Sequence, residues 1–200
     1  MDSQERTLLV IGSRLLAYPA DDFRSGLNDI YDCIEEDITS ADLRNRLNTI
    51  VTTFNLFTLE DLRKLYVSTF DLRAKNGLYL TAHELGDSNK RGAALIRLQK
   101  IINQAGYERI DEDLADYIPM LFEFLAVAPE SQDNERLVRR LAVAVQRIMN
   151  NLPDENPYFN FLYLLMEVVL PKPTKQEIQR LEFDREEADL EELPYPIMYG

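Results

Sequence analysis

Aromatic and acidic side chains occur together at helical spacing in the middle of this sequence. Tyr66 and Phe70 are four positions apart, which places both rings on one face of a helix. Thr69 and Asp71 flank that face and bring polar atoms to the end of the same helix. Such a set can bind a peptide by combining ring packing with hydrogen bonds at its edge. The alternative is that both rings are ordinary core residues and Asp71 caps the following loop.

A second set lies further along the chain, in a helix predicted over residues 112–128. Asp116, Met120 and Glu123 follow at steps of four and three, so two carboxylates share a face with a flexible thioether. Tyr117 belongs to the neighbouring apolar stripe. Apolar contacts and arginine–carboxylate pairs on this surface would hold an amphipathic helix that carries arginine. The alternative is a solvated acidic face without a partner.

Residues suited to catalysis or metal binding are sparse. The chain has one histidine, His83, and one cysteine, Cys33, on separate predicted elements. His83-Glu84 lacks the second histidine of a zinc-binding helix, and the loop from Gly86 to Gly92 lacks the Gly-Lys-Ser/Thr of a phosphate loop. Cys33 falls in an amphipathic stripe, which predicts a core or half-buried thiol. We therefore predict that the chain is not an enzyme and holds no metal or cofactor of its own.

Charge and composition narrow the class of protein further. The 200 residues carry a formal net charge of −13, which argues against nucleic acid because phosphate binding needs clustered lysine and arginine. A single cysteine excludes an intramolecular disulfide and favours a reducing cytoplasm. The sequence predicts neither a membrane span nor a secretion signal. We expect a cytoplasmic protein without membrane insertion, whose partner is another protein.

Apolar residues recur at three- and four-residue steps almost throughout the chain, which predicts helices. Residues such as Ser40, Thr58 and Ser131 mark helix starts, and no alternation typical of strands appears. The prediction is an all-α, single-domain bundle of about eight to nine helices over residues 1–181. Residues 182–200 are predicted to form an irregular, mobile tail.

The charge is unevenly distributed along the chain. Residues 182–200 contain seven acids against one arginine, a net charge of −6, whereas residues 73–109 contain seven basic residues against three acidic ones. One hypothesis is that the acidic tail occupies this basic region and regulates access to the binding site. The alternative is a solvated tail with no role.

Four short motifs follow one another in the central part of the chain. They are Tyr-x-x-Thr-Phe-Asp at 66–71, Leu-Tyr-Leu-Thr at 78–81, Gly-Asp-x-x-x-Arg-Gly at 86–92 and Leu-Ala-Asp-Tyr-Ile-Pro at 114–119. In this order they resemble the NarJ-type assembly chaperones, the nitrate reductase delta subunit family. Ala115 stands where that family tends to have proline. The recurring residues of the third motif are Gly86, Asp87, Arg91 and Gly92.

The resemblance implies an all-helical chaperone without catalytic activity. Members of the family bind the N-terminal segment of the catalytic (alpha) subunit of respiratory nitrate reductase. They keep the apo-enzyme open for insertion of its molybdenum cofactor, which the client carries, and delay membrane assembly. Two alternatives stay open: a sibling chaperone for a dimethyl-sulfoxide or trimethylamine-oxide reductase, and a general helical peptide-binding adaptor.

Spacing and resemblance together predict the position of the client peptide. The groove would lie between the helix that ends at Asp71 and the helix that carries Asp116 and Glu123, and removal of the latter two carboxylates would weaken peptide binding. The predicted peptide-binding residues are Tyr66, Thr69, Phe70, Asp71, Tyr79, Asp116, Tyr117, Met120 and Glu123.

Overall fold

Helices account for nearly all the regular structure in the described part of this chain. A computed structural model describes residues 1–108 and 113–181, and within these ranges the only strand-like pairing is an isolated bridge between Tyr79 and Tyr117. The prediction of an all-α fold is therefore confirmed. The predicted tail at 182–200 lies outside the described residues, so its contact with the basic region stays a hypothesis.

Nine complete α-helices follow one another within the described ranges. They are α1 (Ser3–Leu15), α2 (Phe23–Asp37), α3 (Ala41–Asn55), α4 (Leu59–Tyr66), α5 (Leu80–Leu85), α6 (Lys90–Gln104), α7 (Ile118–Val127), α8 (Gln132–Asn150) and α9 (Pro157–Val168). A π-helical turn (Val67–Asp71) continues α4 directly, and residues 175–181 are again helical. Among these helices, none combines the length and the apolar character that crossing a membrane requires.

Polar side chains mark the helix starts, as the sequence predicted. The side chains of Ser40, Thr58 and Ser131 each accept a hydrogen bond from the backbone N–H three residues ahead. This contact satisfies a donor that the first helical turn leaves without an intrahelical partner. Asn156 caps α9 in a similar way, with Pro157 at the first helical position. The predicted starts of α3, α4 and α8 are thereby confirmed.

The Ser131 cap is expected to contribute measurably to stability. Ser131→Ala should lower the free energy of unfolding by about 1 kcal/mol, because the Asn134 N–H loses its acceptor. Ser25 is an exposed helical serine in α2 and provides the control, since Ser25→Ala introduces a better helix former. Urea unfolding measures both variants. A Ser131→Ala protein as stable as the parent would contradict the prediction.

The core is built around α1 and α9. The α1 helix packs against α2, α7 and α9, and α9 also contacts α3 and α8. Gly12 permits the close approach of α1, because a Cβ there would lie 3.2 Å from ring carbons of both Phe122 and Phe161. The α7 helix has a single charged residue, Glu123, which suits a helix surrounded by other elements.

The short helix α5 connects the remaining elements to this core. It packs against both α6 and α8. The Arg140 guanidinium of α8 donates two hydrogen bonds of 2.7 Å to the Glu84 carboxylate of α5, one to each oxygen. This two-pronged geometry fixes orientation as well as distance. The α5 helix therefore holds a defined position although it has only six residues.

The start of α7 differs from the sequence prediction. Within the described residues this helix begins at Ile118, with Pro119 in its first turn. The residues just before it pair with the segment around Tyr79 instead of extending the helix. Asp116 therefore precedes the helix and does not share a helical face with Glu123, so the predicted i, i+7 relation is wrong.

The end of α4 contains a feature that the apolar spacing did not predict. From Val67 to Asp71 the backbone widens into a π-helical turn. The Leu72 N–H donates to the Val67 carbonyl at 3.0 Å, five residues back instead of four. The first motif therefore occupies a turn of a rare type, which is frequently found at functional sites.

Candidate functional site

Residues from the first three motifs, together with Tyr117 from the fourth, meet at one cleft, which we call the tyrosine cleft. Its volume is about 630 Å³, a size typical of ligand-binding sites. Four tyrosines and three aspartates contribute to its lining. The side chains that define it are those of Tyr18, Tyr66, Phe70, Asp71, Tyr79, Asp87, Asp113 and Tyr117.

One wall of the cleft is an aromatic cluster that continues into the core. The Tyr66 ring packs edge-on against Tyr18 and against Phe70, with centroid distances of 5.3 and 5.1 Å. Phe70 lies 4.8 Å from the fully buried Tyr158. Tyr66 and Phe70 are therefore core residues and cleft residues at once, because they are buried yet border the cleft.

The isolated bridge forms a second wall. It pairs Tyr79 with Tyr117 and brings their ring centroids to 5.4 Å. The Tyr117 hydroxyl lies 3.2 Å from the Tyr66 hydroxyl, so a hydrogen bond joins the two walls. Burial raises the pKa of both phenols, that of Tyr117 to about 12. Both hydroxyls are therefore protonated at neutral pH, and one of them donates to the other.

Asp116 stabilises the second wall of the cleft through buried hydrogen bonds. Its fully buried carboxylate accepts hydrogen bonds from the backbone N–H and the hydroxyl of Thr81. The Arg91 guanidinium lies 3.4 Å from the same carboxylate and donates to the Thr81 hydroxyl at 3.1 Å. It also lies 5.9 Å from the centre of the Tyr79 ring. The second, third and fourth motifs thus meet in one buried cluster behind the cleft.

The cleft presents negative charge. Asp71, Asp87 and Asp113 line it, and no basic side chain does so within the described part of the chain. Burial, followed by the carboxylates of Asp113, Asp116 and Asp71, raises the pKa of Tyr79, which indicates that these groups surround the same phenol. Partial burial also raises the pKa of Asp71. The cleft therefore favours a cationic group over an anionic one.

The third motif contributes to the cleft through its first half. Gly86 ends α5 with a φ of 56°, a left-handed conformation that favours glycine. This turn brings Asp87 to the cleft, while Arg91 joins the buried cluster behind it. Gly92 has no such requirement, because its φ is not positive and a Cβ there would meet nothing within 4 Å.

Four of the predicted peptide-binding residues do not line the cleft. They are Thr69, Asp116, Met120 and Glu123. Thr69 is buried and accepts a hydrogen bond of 3.0 Å from the Asn156 side chain, while Met120 packs partly buried against the core. These contacts give both residues a structural role, and their contact with a client stays a prediction.

The predicted pairing of Asp116 with Glu123 does not occur. Asp116 is enclosed by Thr81 and Arg91, whereas Glu123 is exposed on α7 and lies 3.9 Å from Arg14. The two carboxylates therefore do not form one surface, because α7 begins after Asp116. The recess that Asp71 borders in the structure is the tyrosine cleft, and the position of the client peptide stays a prediction.

Two of the side chains that define the cleft were not predicted from the sequence. Tyr18 follows α1 and is 49% exposed, and Asp113 precedes the fourth motif. The available signal for Tyr18 was an aromatic residue directly before Pro19, where the helix cannot continue. Asp113 carries no comparable signal, because it is one of many carboxylates in an acidic chain.

His83 and Cys33, whose side chains could in principle serve in catalysis, are both at least half-buried. The buried His83 imidazole donates through Nε2 to the Gly77 carbonyl at 2.6 Å, beneath the cleft lining. Cys33 is half-buried on α2. Residues 1–108 and 113–181 contain no group of three or more His, Cys, Asp or Glu side chains that could hold a metal.

Comparison with known proteins gives one family match. A family model described as "Nitrate reductase delta subunit" matches residues 36–152, which is more than half of the chain and includes all four motifs. A Bacillus subtilis protein, "Probable nitrate reductase molybdenum cofactor assembly chaperone NarJ", is 29% identical over 155 residues. That match covers 77% of this chain and 83% of the relative.

Two further relatives are matched over smaller shares of their length. The Escherichia coli K12 protein "Nitrate reductase molybdenum cofactor assembly chaperone NarJ" is 28% identical over 131 residues, 64% of this chain and 55% of that protein. The Mycobacterium tuberculosis H37Rv "Nitrate reductase-like protein NarX" is 31% identical over 90 residues, 44% of this chain and 14% of that protein. This chain thus spans about half of the second relative and a small part of the third.

Proposed function

Because this chain belongs to the nitrate reductase delta subunit family, we propose that it is a non-catalytic assembly chaperone of respiratory nitrate reductase. It binds the N-terminal segment of the apo catalytic subunit in the cytoplasm. Binding permits insertion of the molybdenum cofactor before the enzyme assembles at the membrane. In this proposal the cofactor belongs to the client, and this chain contributes the peptide-binding surface.

One observation carries the proposal. The motifs that resemble the family are separated in sequence, yet residues from all of them build one cleft and the cluster behind it. Tyrosine rings offer apolar contact area with polar tips, which suits recognition of a segment that has both kinds of side chain. We therefore propose Tyr66, Phe70, Asp71, Tyr79 and Tyr117 as the residues that contact the client.

The chemistry required is reversible binding. The chaperone has to hold the client segment tightly enough to prevent premature assembly and then release it. A dissociation constant near 1 μM corresponds to about −8 kcal/mol, which a short helix in an apolar groove can supply. A rigid cleft wall limits the entropy lost on binding, and the bridge, the tyrosine pair and the buried Asp116 cluster provide that rigidity.

Calorimetric titration with a client peptide tests this proposal. The peptide copies about the first fifteen residues of the nitrate reductase catalytic subunit of the same organism, and one-to-one binding that a scrambled peptide lacks is expected. Tyr79→Ala should weaken binding about tenfold, because Tyr79 is a half-buried aromatic residue at the cleft. Tyr163→Ala is the control, since Tyr163 is 52% exposed on α9 and does not line the cleft.

Two results would contradict the proposal. One is the absence of binding heat at several temperatures, and the other is binding that Tyr79→Ala and Tyr163→Ala weaken equally. Titration with the corresponding peptides of dimethyl-sulfoxide and trimethylamine-oxide reductases separates the remaining alternatives. A preference for one of these peptides indicates a sibling chaperone, whereas equal binding of all peptides indicates a general adaptor.

A further inference from the structure

A second groove adjoins the tyrosine cleft. It lies between α1 and α2, has a volume of about 500 Å³ and is called the α1–α2 groove here. Ala17 and Tyr18 line both this groove and the tyrosine cleft. The two recesses therefore share an edge, at the point where the chain leaves α1.

The two recesses differ in chemistry. The α1–α2 groove has an apolar floor that includes Val10, Ile11, Phe23 and Ile30. The tyrosine cleft instead presents phenol rings and carboxylates. A single ligand that occupied both would need apolar side chains in one part and polar or charged ones in the other.

The charge of the combined surface defines the ligand further. Two carboxylates line the α1–α2 groove, Asp22 and Asp29, in addition to the three that line the tyrosine cleft. Arg14 is the one basic side chain that lines either recess within the described residues. Five carboxylates against one guanidinium make the combined surface complementary to a cationic segment.

Two tyrosine rings of the cleft each lie near a guanidinium of the chain itself. The Arg63 guanidinium lies 5.8 Å from the centre of the Tyr18 ring, and the Arg91 guanidinium lies 5.9 Å from that of Tyr79. A guanidinium near an aromatic face is attracted by the ring quadrupole. A further cation entering the cleft would meet the same kind of rings and, in addition, the carboxylates of Asp71 and Asp87.

We propose that one cationic amphipathic segment occupies both recesses. Its apolar side chains lie along the α1–α2 groove, and its arginine or lysine side chains enter the tyrosine cleft. The proposal rests on the proposed function, because the occupant is the N-terminal segment of the client. It adds the class of side chain that the cleft takes and a second half of the site.

The residues that line the α1–α2 groove lie in a different part of the sequence from most of those that line the tyrosine cleft. Every residue that lines the α1–α2 groove lies at or before Cys33, whereas the family match begins at residue 36. The tyrosine cleft, apart from Ala17 and Tyr18, lies within the matched range. The cleft thus lies almost wholly within the matched range, and the α1–α2 groove lies outside it.

The single cysteine of the chain gives a direct test. Cys33 lines the α1–α2 groove and is half-buried, so a segment lying there would shield its thiol. Saturating client peptide is expected to slow alkylation by iodoacetamide, an uncharged reagent, at least about tenfold. Burial and the neighbouring Asp37 and Glu36 carboxylates raise the pKa of this thiol, so free and bound protein are compared at one mildly alkaline pH.

A relocated cysteine provides the control. Asn160 is exposed on α9 and lines neither recess. In the variant Cys33→Ser/Asn160→Cys, the peptide should leave the alkylation rate unchanged. If the peptide binds by calorimetry but Cys33 reacts at its free rate, the proposal is overturned while the proposed function stands. If the peptide does not bind at all, both fail.

The placement of the cationic side chains has its own test. Replacing the arginine and lysine residues of the peptide with glutamine should weaken binding to the parent protein about tenfold or more. The same replacement should have little effect on binding to the variant Asp71→Asn/Asp87→Asn, because these carboxylates are the proposed partners. Equal losses in both proteins would contradict the assignment of the cleft to a cation. Circular dichroism of the double variant establishes that it is folded.

Discussion

Asp116→Ala is expected to lower the free energy of unfolding by about 3 kcal/mol. Removing the carboxylate leaves the backbone N–H and hydroxyl of Thr81 without their buried acceptor and separates Arg91 from its ion-pair partner. Leaving buried polar groups unpaired costs more than the net gain that the original hydrogen bonds provided. Urea unfolding followed by circular dichroism measures the change.

Glu123→Ala is the matched control for this variant. Both carboxylates are close to the start of α7 in sequence, but Glu123 is exposed and its contact with Arg14 is 3.9 Å long. Its removal should change the free energy of unfolding by no more than about 0.5 kcal/mol. Equal losses for the two variants would show that the buried cluster does not hold the wall of the cleft.

The same pair of variants separates a structural role from a binding role. Under conditions in which Asp116→Ala remains folded, weaker client binding would arise through a displaced Tyr79–Tyr117 bridge, because Asp116 itself does not reach the cleft surface. Asp116 is therefore a positioning residue in the proposed site. Glu123 remains available for direct contact, since its side chain is exposed.

Gly12→Leu is expected to destabilise the protein by about 3 kcal/mol or more. Even a Cβ at this position lies 3.2 Å from ring carbons of Phe122 and Phe161, so three further carbons cannot be placed without moving α1 away from α7 and α9. The gain in helix propensity over glycine, about 0.8 kcal/mol, is too small to compensate. Thermal and urea unfolding both report the loss.

The variant Gly92→Leu measures the contribution of helix propensity alone to the free energy of unfolding. Gly92 is exposed in the first turn of α6, and a Cβ there meets nothing within 4 Å. The variant should be as stable as the parent or up to about 1 kcal/mol more stable. A Gly12→Leu protein with the stability of Gly92→Leu would mean that α1 can shift freely on α7 and α9, contrary to the packing described above.

Local features of the fold were accessible from sequence because they depend on a few neighbouring residues. Ser40, Thr58 and Ser131 each cap a helix through a contact only three residues long. The start of α7 was misplaced although a signal was present. Pro119 suits a first helical turn and disfavours a helix that began several residues earlier.

The candidate site was predicted only in part, because its geometry depends on contacts between distant segments. Tyr66 and Phe70 were placed on one helix face from their spacing alone. The bridge that brings Tyr79 to Tyr117 joins residues far apart in the chain, and no spacing rule predicts it. The α1–α2 groove was not predicted for a related reason. The apolar pattern of a helix does not reveal how far away the neighbouring helix packs.

The π-helical turn at Val67–Asp71 changes the direction in which the residues after α4 point. A π turn contains about one residue more than an α-helical turn, and each residue of an α-helix turns the chain by about 100°. Asp71 and the loop behind it are therefore rotated by roughly that angle relative to a regular continuation of α4. Tyr66, at the start of the turn, keeps its place in the aromatic cluster. The first motif thus determines the direction in which Asp71 points as well as the side chains present. Deletion of one residue between Tyr66 and Asp71 would direct Asp71 away from the cleft.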